Sequence, residues 1–508
     1  MSNISNAISE SARSAIVGYN ITKGNYAISS PNLPMRIAIL SEANTDKITG
    51  LSLDPFEAYN TSKVAKLLGA GSPAYMAMRV LYPINGGGLS GIPVVIYPVA
   101  TAEDATASTA VITITGTATA DATHYPVIAG RTSLDGQSYS VKVAKGDTPT
   151  VLAAKYVAAI NSVYGCPVTA SALAGVLTLT SKWKGLSSIF ETRVELDGVD
   201  AGVSYAVVKT AGTGAGDVST ALGKFQNNWN TLVINPYGKD LTVLDLLEAF
   251  NGVPDPELPT GRYQGITFKP FVSFFSYSTT DPFTDVSVSD RATKCTNVYC
   301  PAPNIKHLPV EVAANMAYLV ATIGQNLPHL DVSDKAYPDV VVDSNVGIGS
   351  YSDWEYRDKC IKAGLSTVDY VGGEVIVKDL VTTYNPTDEV TPQFKYVRNL
   401  ILDWNVRYTY KVAEQIHVVN HVLIPDGTIT DAKNTISPSE WKGILKNTVF
   451  ADLTNRALFA DLEFSNDSLT VAISSTNPDR FDTFFRYKRT GIARICSTTA
   501  EAGFYYGS

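Results

Sequence analysis

The sequence predicts an α/β (α+β) multidomain protein, with a β-rich domain inserted into an α/β core and extended strand arms at both ends. Three observations support this class. Apolar strand-like runs alternate with amphipathic helices along much of the 508 residues, which predicts sheets covered by helices. The composition changes abruptly between residues 100 and 216. Residues 1–27 carry too little apolar surface to form a core of their own.

The N-terminal arm is predicted over residues 1–27. Val17, Tyr19 and Ile21 alternate with small or polar residues, a pattern typical of a strand. The same stretch lacks a basic region followed by an apolar one, so no secretory signal is predicted.

The α/β core follows the arm. Met35–Leu40 is predicted to form a buried strand, and the alternation of strands and helices resumes after the insert. There we expect a buried strand at Thr231–Asn235, a long aromatic strand at Ile266–Tyr277 and a helix at Val310–Gly324.

The inserted region is rich in Ala and Thr and contains short strand patterns around one helix, Thr150–Tyr164. Its last residues, Ala211–Asp217, read AGTGAGD. Small residues of this kind predict a flexible linker, and the segment lacks the Lys of a phosphate-binding loop.

The last third carries a different pattern. A hairpin is predicted around Gly372-Gly373, and a long helix at 394–419. Ser437 opens a capping box for a second helix that reaches Leu458. A terminal hairpin follows, formed by Leu469–Ser474 and Phe481–Tyr487.

These patterns divide the chain into five predicted parts. They are an N-terminal arm (1–27), a discontinuous α/β domain (28–99 and 217–345), the inserted β-rich outer domain (100–216), a C-terminal inner domain (346–488) and a C-terminal arm (489–508).

The bulk composition favours a protein that assembles. The chain is 45% hydrophobic and 17% charged, so part of its surface is expected to be covered by partners, although large cores would explain the same numbers. A net charge of −8 argues against nucleic-acid binding, and no apolar run is long enough for membrane insertion. Five scattered cysteines predict no disulfide framework and assembly in a reducing cytoplasm.

No catalytic constellation emerges from the sequence, and neither a cofactor nor a metal is predicted. His417 and His421 are spaced to face one ion, but no further ligand stands at a motif spacing beside them. Cys295 and Cys300, followed by His307, do not match a structural zinc pattern, so buried free thiols are expected. The chain is therefore predicted not to be an enzyme.

Several segments, taken together and in order, resemble the contractile tail-sheath family of bacteriophages, in particular its Mu-like branch. They are LPMRIAILSEAN (33–44), GAGSPAYMAMRVL (69–81), RDKCIKAGLSTVDYVGGEVIVKDLVTTY (357–384), FKYVRNLILDW (394–404) and FRYKRTGIARI (485–495).

The resemblance implies a structural protein of the viral tail, assembled in the host cytoplasm. Such subunits stack as hexameric rings in a helical lattice around a tail tube, and contraction drives the tube through the host envelope. The implied partners are other copies of the chain, the tail tube protein, and baseplate and tail terminator proteins.

The resemblance and the strand patterns together predict three groups of residues for assembly. The inter-subunit strand arms contain Val17, Tyr19, Ile21, Phe504 and Tyr505. The terminal hairpin that accepts strands from neighbours contains Leu469, Val471, Ile473, Phe485 and Tyr487. A basic group that contacts the tube or a neighbour contains Arg486, Lys488, Arg489 and Arg494.

Two other functions remain open at this point. A surface adhesin or fibre would use the Ala/Thr-rich insert for binding, and it would carry a secretion signal or collagen-like repeats. A cytoplasmic α/β enzyme would carry a catalytic constellation. Neither feature is found in the sequence.

Overall fold

The structure is a computed structural model. It describes Ser14 and residues 31–504, apart from 256, 278, 280–290, 344–348, 388 and 390–391. The predicted arm residues Val17, Tyr19, Ile21 and Tyr505 lie outside the described part of the chain.

The described helices and strands are numbered separately in chain order. The helices are α1 (Thr61–Leu68), α2 (Pro73–Leu81), α3 (Pro149–Ser162), α4 (Val218–Gly223), α5 (Leu241–Asn251), α6 (Pro309–Asn326), α7 (Trp354–Lys362), α8 (Val397–His417), α9 (Pro438–Ile444), α10 (Ala451–Asn455) and α11 (Leu462–Ser468). The strands are β1 (Ile37–Ser41), β2 (Phe56–Glu57), β3 (Val94–Pro98), β4 (Thr109–Thr115), β5 (Ala122–Ile128), β6 (Ser133–Leu134), β7 (Gln137–Ser138), β8 (Val141–Val143), β9 (Val168–Leu173), β10 (Val176–Ser181), β11 (Thr192–Leu196), β12 (Ser204–Thr210), β13 (Leu232–Ile234), β14 (Val272–Phe275), β15 (Asn297–Tyr299), β16 (Thr367–Val371), β17 (Glu374–Asp379), β18 (Val422–Leu423), β19 (Thr435–Ile436), β20 (Thr470–Ile473) and β21 (Phe481–Phe484).

A six-stranded sheet in the order β15-β14-β13-β1-β3-β2 forms the centre of the fold. Its strands are parallel except β2, which pairs antiparallel with β3. Parallel strands are buried on both faces, and every residue of β1 and β3 is indeed buried. Ile37 and Ile39 point into one apolar cluster, and Ala38 and Leu40 point into a second. The predicted α/β class with several sheets is thus confirmed.

The inserted region forms two further sheets. The first is antiparallel, in the order β12-β4-β10-β9, and helix α3 packs on it. The second is antiparallel, in the order β11-β5-β8. Apolar side chains of the insert, including Ile112 and Leu177, belong to the same cluster as Ile37 and Ile39 of the central sheet. The insert and the central sheet therefore share one continuous core.

Buried ion pairs reinforce this contact. Arg131 of the insert lies 3.1 Å from Glu311 and 2.8 Å from Asp339, and Arg79 of α2 lies 2.7 Å from Asp135 of the insert. Burial raises the pKa of Glu311, an effect that Arg131 and Arg79 oppose. Charges taken out of water are stable only when paired. These pairs therefore favour one position of the insert relative to α2 and α6.

The linker AGTGAGD is not the flexible segment that the sequence predicted. A Cβ on Gly212 would lie 2.3 Å from Ser188 Oγ, and one on Gly216 would lie 2.5 Å from Val99 Cγ1. These glycines are required because two parts of the chain approach each other closely here. The predicted domain boundaries remain predictions, since the apolar core continues across them.

The C-terminal region contributes residues such as Val377 and Trp404 to the main core, and it also packs around two further centres. Cys360 and Leu365 join Phe275 and Tyr299 of the central sheet, so the chain near the predicted boundary at 346 packs against the α/β body. A separate apolar cluster begins with Leu402 of α8, and Trp441 and Phe450 lie at its centre.

Two predicted elements differ from the structure. The strand expected at Ile266–Tyr277 covers only Val272–Phe275, and Ile266 is fully exposed. Pro270 stands two residues before this strand and has no N–H to donate to a neighbouring strand, so the ladder does not extend across it. The helix expected from Ser437 to Leu458 is interrupted by π-helical turns at Leu445–Phe450 and ends at Asn455.

No described helix is long and apolar enough to cross a lipid bilayer.

Gly212→Ala tests the close packing of the linker. The new methyl group would overlap Ser188 Oγ and the carbonyl oxygens of Gly185 and Thr106, so we expect the free energy of unfolding to fall by about 1–3 kcal/mol. Gly223→Ala is the control, because it lies in α4 with nothing within 4 Å of the new Cβ. Chemical denaturation measures both, and equal stability of the two variants would support a flexible linker instead.

Candidate assembly surface at the C-terminal segment

The terminal hairpin consists of β20 and β21 alone. Val471 pairs with Thr483 and Ile473 pairs with Phe481. No other described strand joins this sheet, so each strand has one side with open backbone donors and acceptors. Open strand edges of this kind accept a further strand from another chain.

The hairpin is shorter than predicted. Leu469 precedes β20 and is buried, whereas Phe485 and Tyr487 follow β21. Of the five residues predicted for the hairpin, only Val471 and Ile473 lie within its strands. Whether they contact a neighbouring copy stays a prediction.

Aromatic side chains attach the hairpin to the body. Trp441 Nε1 donates a hydrogen bond of 3.2 Å to Thr483 Oγ1. The ring of Phe485 lies 4.9 Å from that of Phe450, measured between centroids, and the ring of Tyr487 stacks on Phe459 at 4.9 Å. The hairpin is therefore fixed along one face while its edges stay open.

Beyond the hairpin, Arg489 is held within its own subunit. Its guanidinium donates two hydrogen bonds to the carboxylate of Asp403 on α8, of 2.7 Å and 2.6 Å. The hydroxyl of Tyr487 donates a third, of 2.8 Å, to the same carboxylate. Burial raises the pKa of Asp403 against the effect of Arg489, and the pairing with Asp403 raises the pKa of Arg489 despite its burial.

Arg494 is held in the same way further along the segment. It forms ion pairs with Asp331 and, at 3.5 Å, with Asp379. Its guanidinium carbon also lies 4.0 Å from the centroid of the Tyr396 ring, a cation–π geometry. Burial raises the pKa of Asp379, and Arg494 opposes that rise.

Arg486 and Lys488 differ from these two residues because both are exposed. Lys488 pairs at 2.7 Å with Asp461, which is itself partly exposed. The guanidinium of Arg486 lies 5.7 Å from the Phe484 ring, and it forms no ion pair with any described residue. The predicted basic group therefore splits into two fixed residues and two that face solvent.

Grooves lie on both sides of the segment 485–495. A groove of 1110 Å³ is lined by this segment, by α8 and by Lys362 of α7. A groove of 470 Å³ on the other side is lined mainly by aromatic and apolar residues, among them Phe268, Trp404 and Tyr410. At the end of the described chain Phe504 is 87% exposed.

The predicted buried thiols are found. Cys295 and Cys300 are both fully buried, and burial raises the pKa of Cys295 to about 12. His307 lies elsewhere, beside Arg131, and burial together with the positive charges of Arg131 and Arg79 holds its pKa well below the usual value.

The pair His417 and His421 lines a shared surface pocket with Glu440. Within the described ranges, no three His, Cys, Asp or Glu side chains are grouped closely enough to hold a metal ion.

The chain has a relative in sequence among known proteins. The tail sheath protein of the Mu-like prophage FluMu of Haemophilus influenzae is 25% identical over 410 residues, which cover 76% of this chain and 77% of the relative. No protein-family model matches the chain. The resemblance to the contractile tail-sheath family inferred from the five segments is confirmed by this relative.

Two solved structures overlap with the chain at low sequence identity. The sheath tail protein of Desulfitobacterium hafniense is 11% identical, with a TM-score of 0.43, and the match covers 93% of this chain and all of that one. The helical sheath of the anti-feeding prophage in its contracted state is 12% identical, with a TM-score of 0.46, and the match covers 96% of this chain and 99% of the other.

Sequence reasoning missed the acidic partners of the basic segment. Asp403 lies 86 positions before Arg489, and Asp331 lies 163 positions before Arg494. One signal was available, because Asp403 stands within the apolar stripe of a helix, where an unpaired carboxylate is unstable.

Arg489→Ala tests whether the segment is fixed by Asp403. Removing the guanidinium leaves a largely buried carboxylate with one remaining side-chain donor, so we expect a loss of about 2–3 kcal/mol in unfolding free energy. Lys488→Ala, which breaks an exposed pair, is expected to cause a loss below about 1 kcal/mol. Urea denaturation compares the two variants, and equal losses would contradict the assignment.

Proposed function

We propose that the chain is a structural subunit of a contractile tail sheath. It polymerises as stacked rings around a tail tube, and the sheath contracts to drive the tube through the host envelope. The observation that carries the proposal is the sequence similarity to the FluMu tail sheath protein along three quarters of both chains. We propose that the protein is not an enzyme.

The hairpin supports the proposal physically. A two-stranded sheet with open edges is an aggregation hazard in a protein that remains a monomer. When the strand that completes it comes from another copy, the contact joins two different surfaces and propagates into a helical polymer. We propose that the arm residues Val17, Tyr19 and Ile21, together with Phe504 and Tyr505, supply such strands.

The exposed charges complete the proposal. We propose that Arg486 and Lys488 contact an acidic surface of the tail tube protein or of a neighbouring subunit. Arg489 and Arg494 contribute indirectly, because their ion pairs hold the backbone that carries the two exposed residues. Assembly in the host cytoplasm, and attachment to baseplate and tail terminator proteins, belong to the same proposal.

Deletion of residues 1–27 tests the arm. The truncated protein is expected to stay folded and soluble, because the described core begins beyond these residues. It is expected not to polymerise, because the strand that completes the hairpin of a neighbour is missing. Negative-stain electron microscopy detects tubes and circular dichroism reports folding. Tubes of normal length would contradict the role of the arm.

Reversal of Arg486 and Lys488 to Glu tests the charged contact. The reversal is expected to weaken binding to the tube most at low salt. At higher salt the ions screen exposed charges, with a Debye length of about 8–10 Å near physiological ionic strength, so the charges contribute less to binding. Lys145→Glu with Lys433→Glu is the matched control, since both lysines are exposed and lie in other regions. Co-sedimentation with the tube at two salt concentrations is the assay. Wild-type binding at both would place the contact elsewhere.

A further inference from the structure

A buried carboxyl group lies where the insert meets the central sheet. Glu42 directly follows β1 and has no exposed surface. Ser187 Oγ of the insert donates a hydrogen bond to Glu42 Oε2 and accepts one of 3.0 Å from Trp183 Nε1. A carboxyl group of the body therefore holds a loop of the insert through a single hydroxyl.

The position of Glu42 in the sheet is distinctive. From β1 the chain moves to β3 on one side and then to β13 on the other, so the strand order reverses between β1 and β13. In open α/β sheets the crevice at the carboxyl ends of such a pair is where polar groups converge and ligands bind. Here Glu42 follows β1 and Asn235 follows β13, and Ser187 of the insert loop contacts Glu42.

Polar atoms in this crevice are left without partners. Glu42 Oε1, Asn235 Nδ2 and Tyr237 Oη are buried and form no hydrogen bond with described atoms. The linker closes the crevice tightly, since a Cβ on Gly216 would lie 2.8 Å from Tyr237 Oη and 3.0 Å from Glu42 Oε1. In the closed arrangement the buried carboxyl group of Glu42 has a hydrogen bond at Oε2 and none at Oε1.

The charged groups around Glu42 are acidic. Asp217 at the start of α4 and Asp240 at the start of α5 act on Tyr237, the neighbour of Glu42. Lys182 and Lys184 belong to the insert loop, but among the described residues no basic side chain forms an ion pair with Glu42. Burial, only partly opposed by the hydrogen bond from Ser187, raises the pKa of Glu42 from 4.5 to about 8.

We propose that Glu42 acts as a neutral carboxylic acid that closes the insert loop and linker onto the sheet, and that its ionisation opens this contact. A buried carboxylate without a cation is unstable, whereas an open loop lets water reach it. The opening is local, because the ion pairs of Arg131 and Arg79 hold the insert at a separate contact.

The direction of the pH effect follows from proton linkage. The closed form keeps a proton that the open form releases, so closure is strongest below about pH 4.5 and weakens as the pH rises towards 8. Between these limits the equilibrium constant for opening increases about tenfold per pH unit, and above about pH 8 it levels off.

Hydrogen–deuterium exchange on the full-length protein between pH 5 and 9 tests the proposal. In the wild type, protection of residues 183–188 and 211–217 is expected to fall by about tenfold per pH unit up to about pH 8 and to level off above it, relative to Glu42→Gln, which keeps the shape but does not ionise. Glu103→Gln, an exposed acid near the same boundary, is expected to behave as the wild type. Equal pH dependence of the wild type and Glu42→Gln would overturn the proposal.

A second variant covers the case in which Glu42→Gln does not fold. Ser187→Ala removes the hydrogen bond between the loop and Glu42 while the acid remains. It is expected to increase exchange of residues 183–188 several-fold at pH 6, where the wild type is mostly closed. Unchanged exchange would show that this hydrogen bond does not hold the loop, and the proposal would fail. Neither experiment depends on tube formation, so its result stands apart from the proposed function.

Discussion

The architecture depends on one constraint, namely that a parallel sheet must be covered on both faces. β1 and β3 are buried at every position, and their side chains alternate between two apolar clusters. Helices α4 and α5 cover one face, and α2 and α6 cover the other. All nine residues of α2 are buried, because the insert lies on the side of this helix that faces away from the sheet. The insert thus forms a further layer of the body, outside α2.

This layering explains what could be predicted from the sequence. Long or strongly patterned elements such as β1, α6 and α8 were found within a few residues, because local periodicity determines them. The terminal hairpin was also found, but its first strand was predicted one residue too long at each end and its second strand three residues too long at the C-terminal end. Phe485 and Tyr487 have strand-like alternation, yet they leave the ladder to pack on Phe450 and Phe459.

The contacts that decide the candidate surface could not be predicted, since they join residues far apart in the chain. From the sequence alone, the same contact role was predicted for four basic residues, Arg486, Lys488, Arg489 and Arg494. The fold separates them by bringing Asp403, Asp331 and Asp379 beneath two of the four. The linker was misjudged for a similar reason. Glycine permits flexibility and close approach equally, and only the positions of Ser188 and Val99 decide between the two.

The shared core of insert and body has a consequence for engineering. A foreign domain attached at the junctions of the insert would have to split packed backbone around Gly212 and Gly216. The turn between β11 and β12 is a better attachment site, since residues 196–200 are all exposed and a Cβ on Gly198 would meet nothing within 4 Å. Cargo fused at this turn would leave every layer of the body intact. A polymer of such subunits would then carry one copy of the cargo at each lattice point.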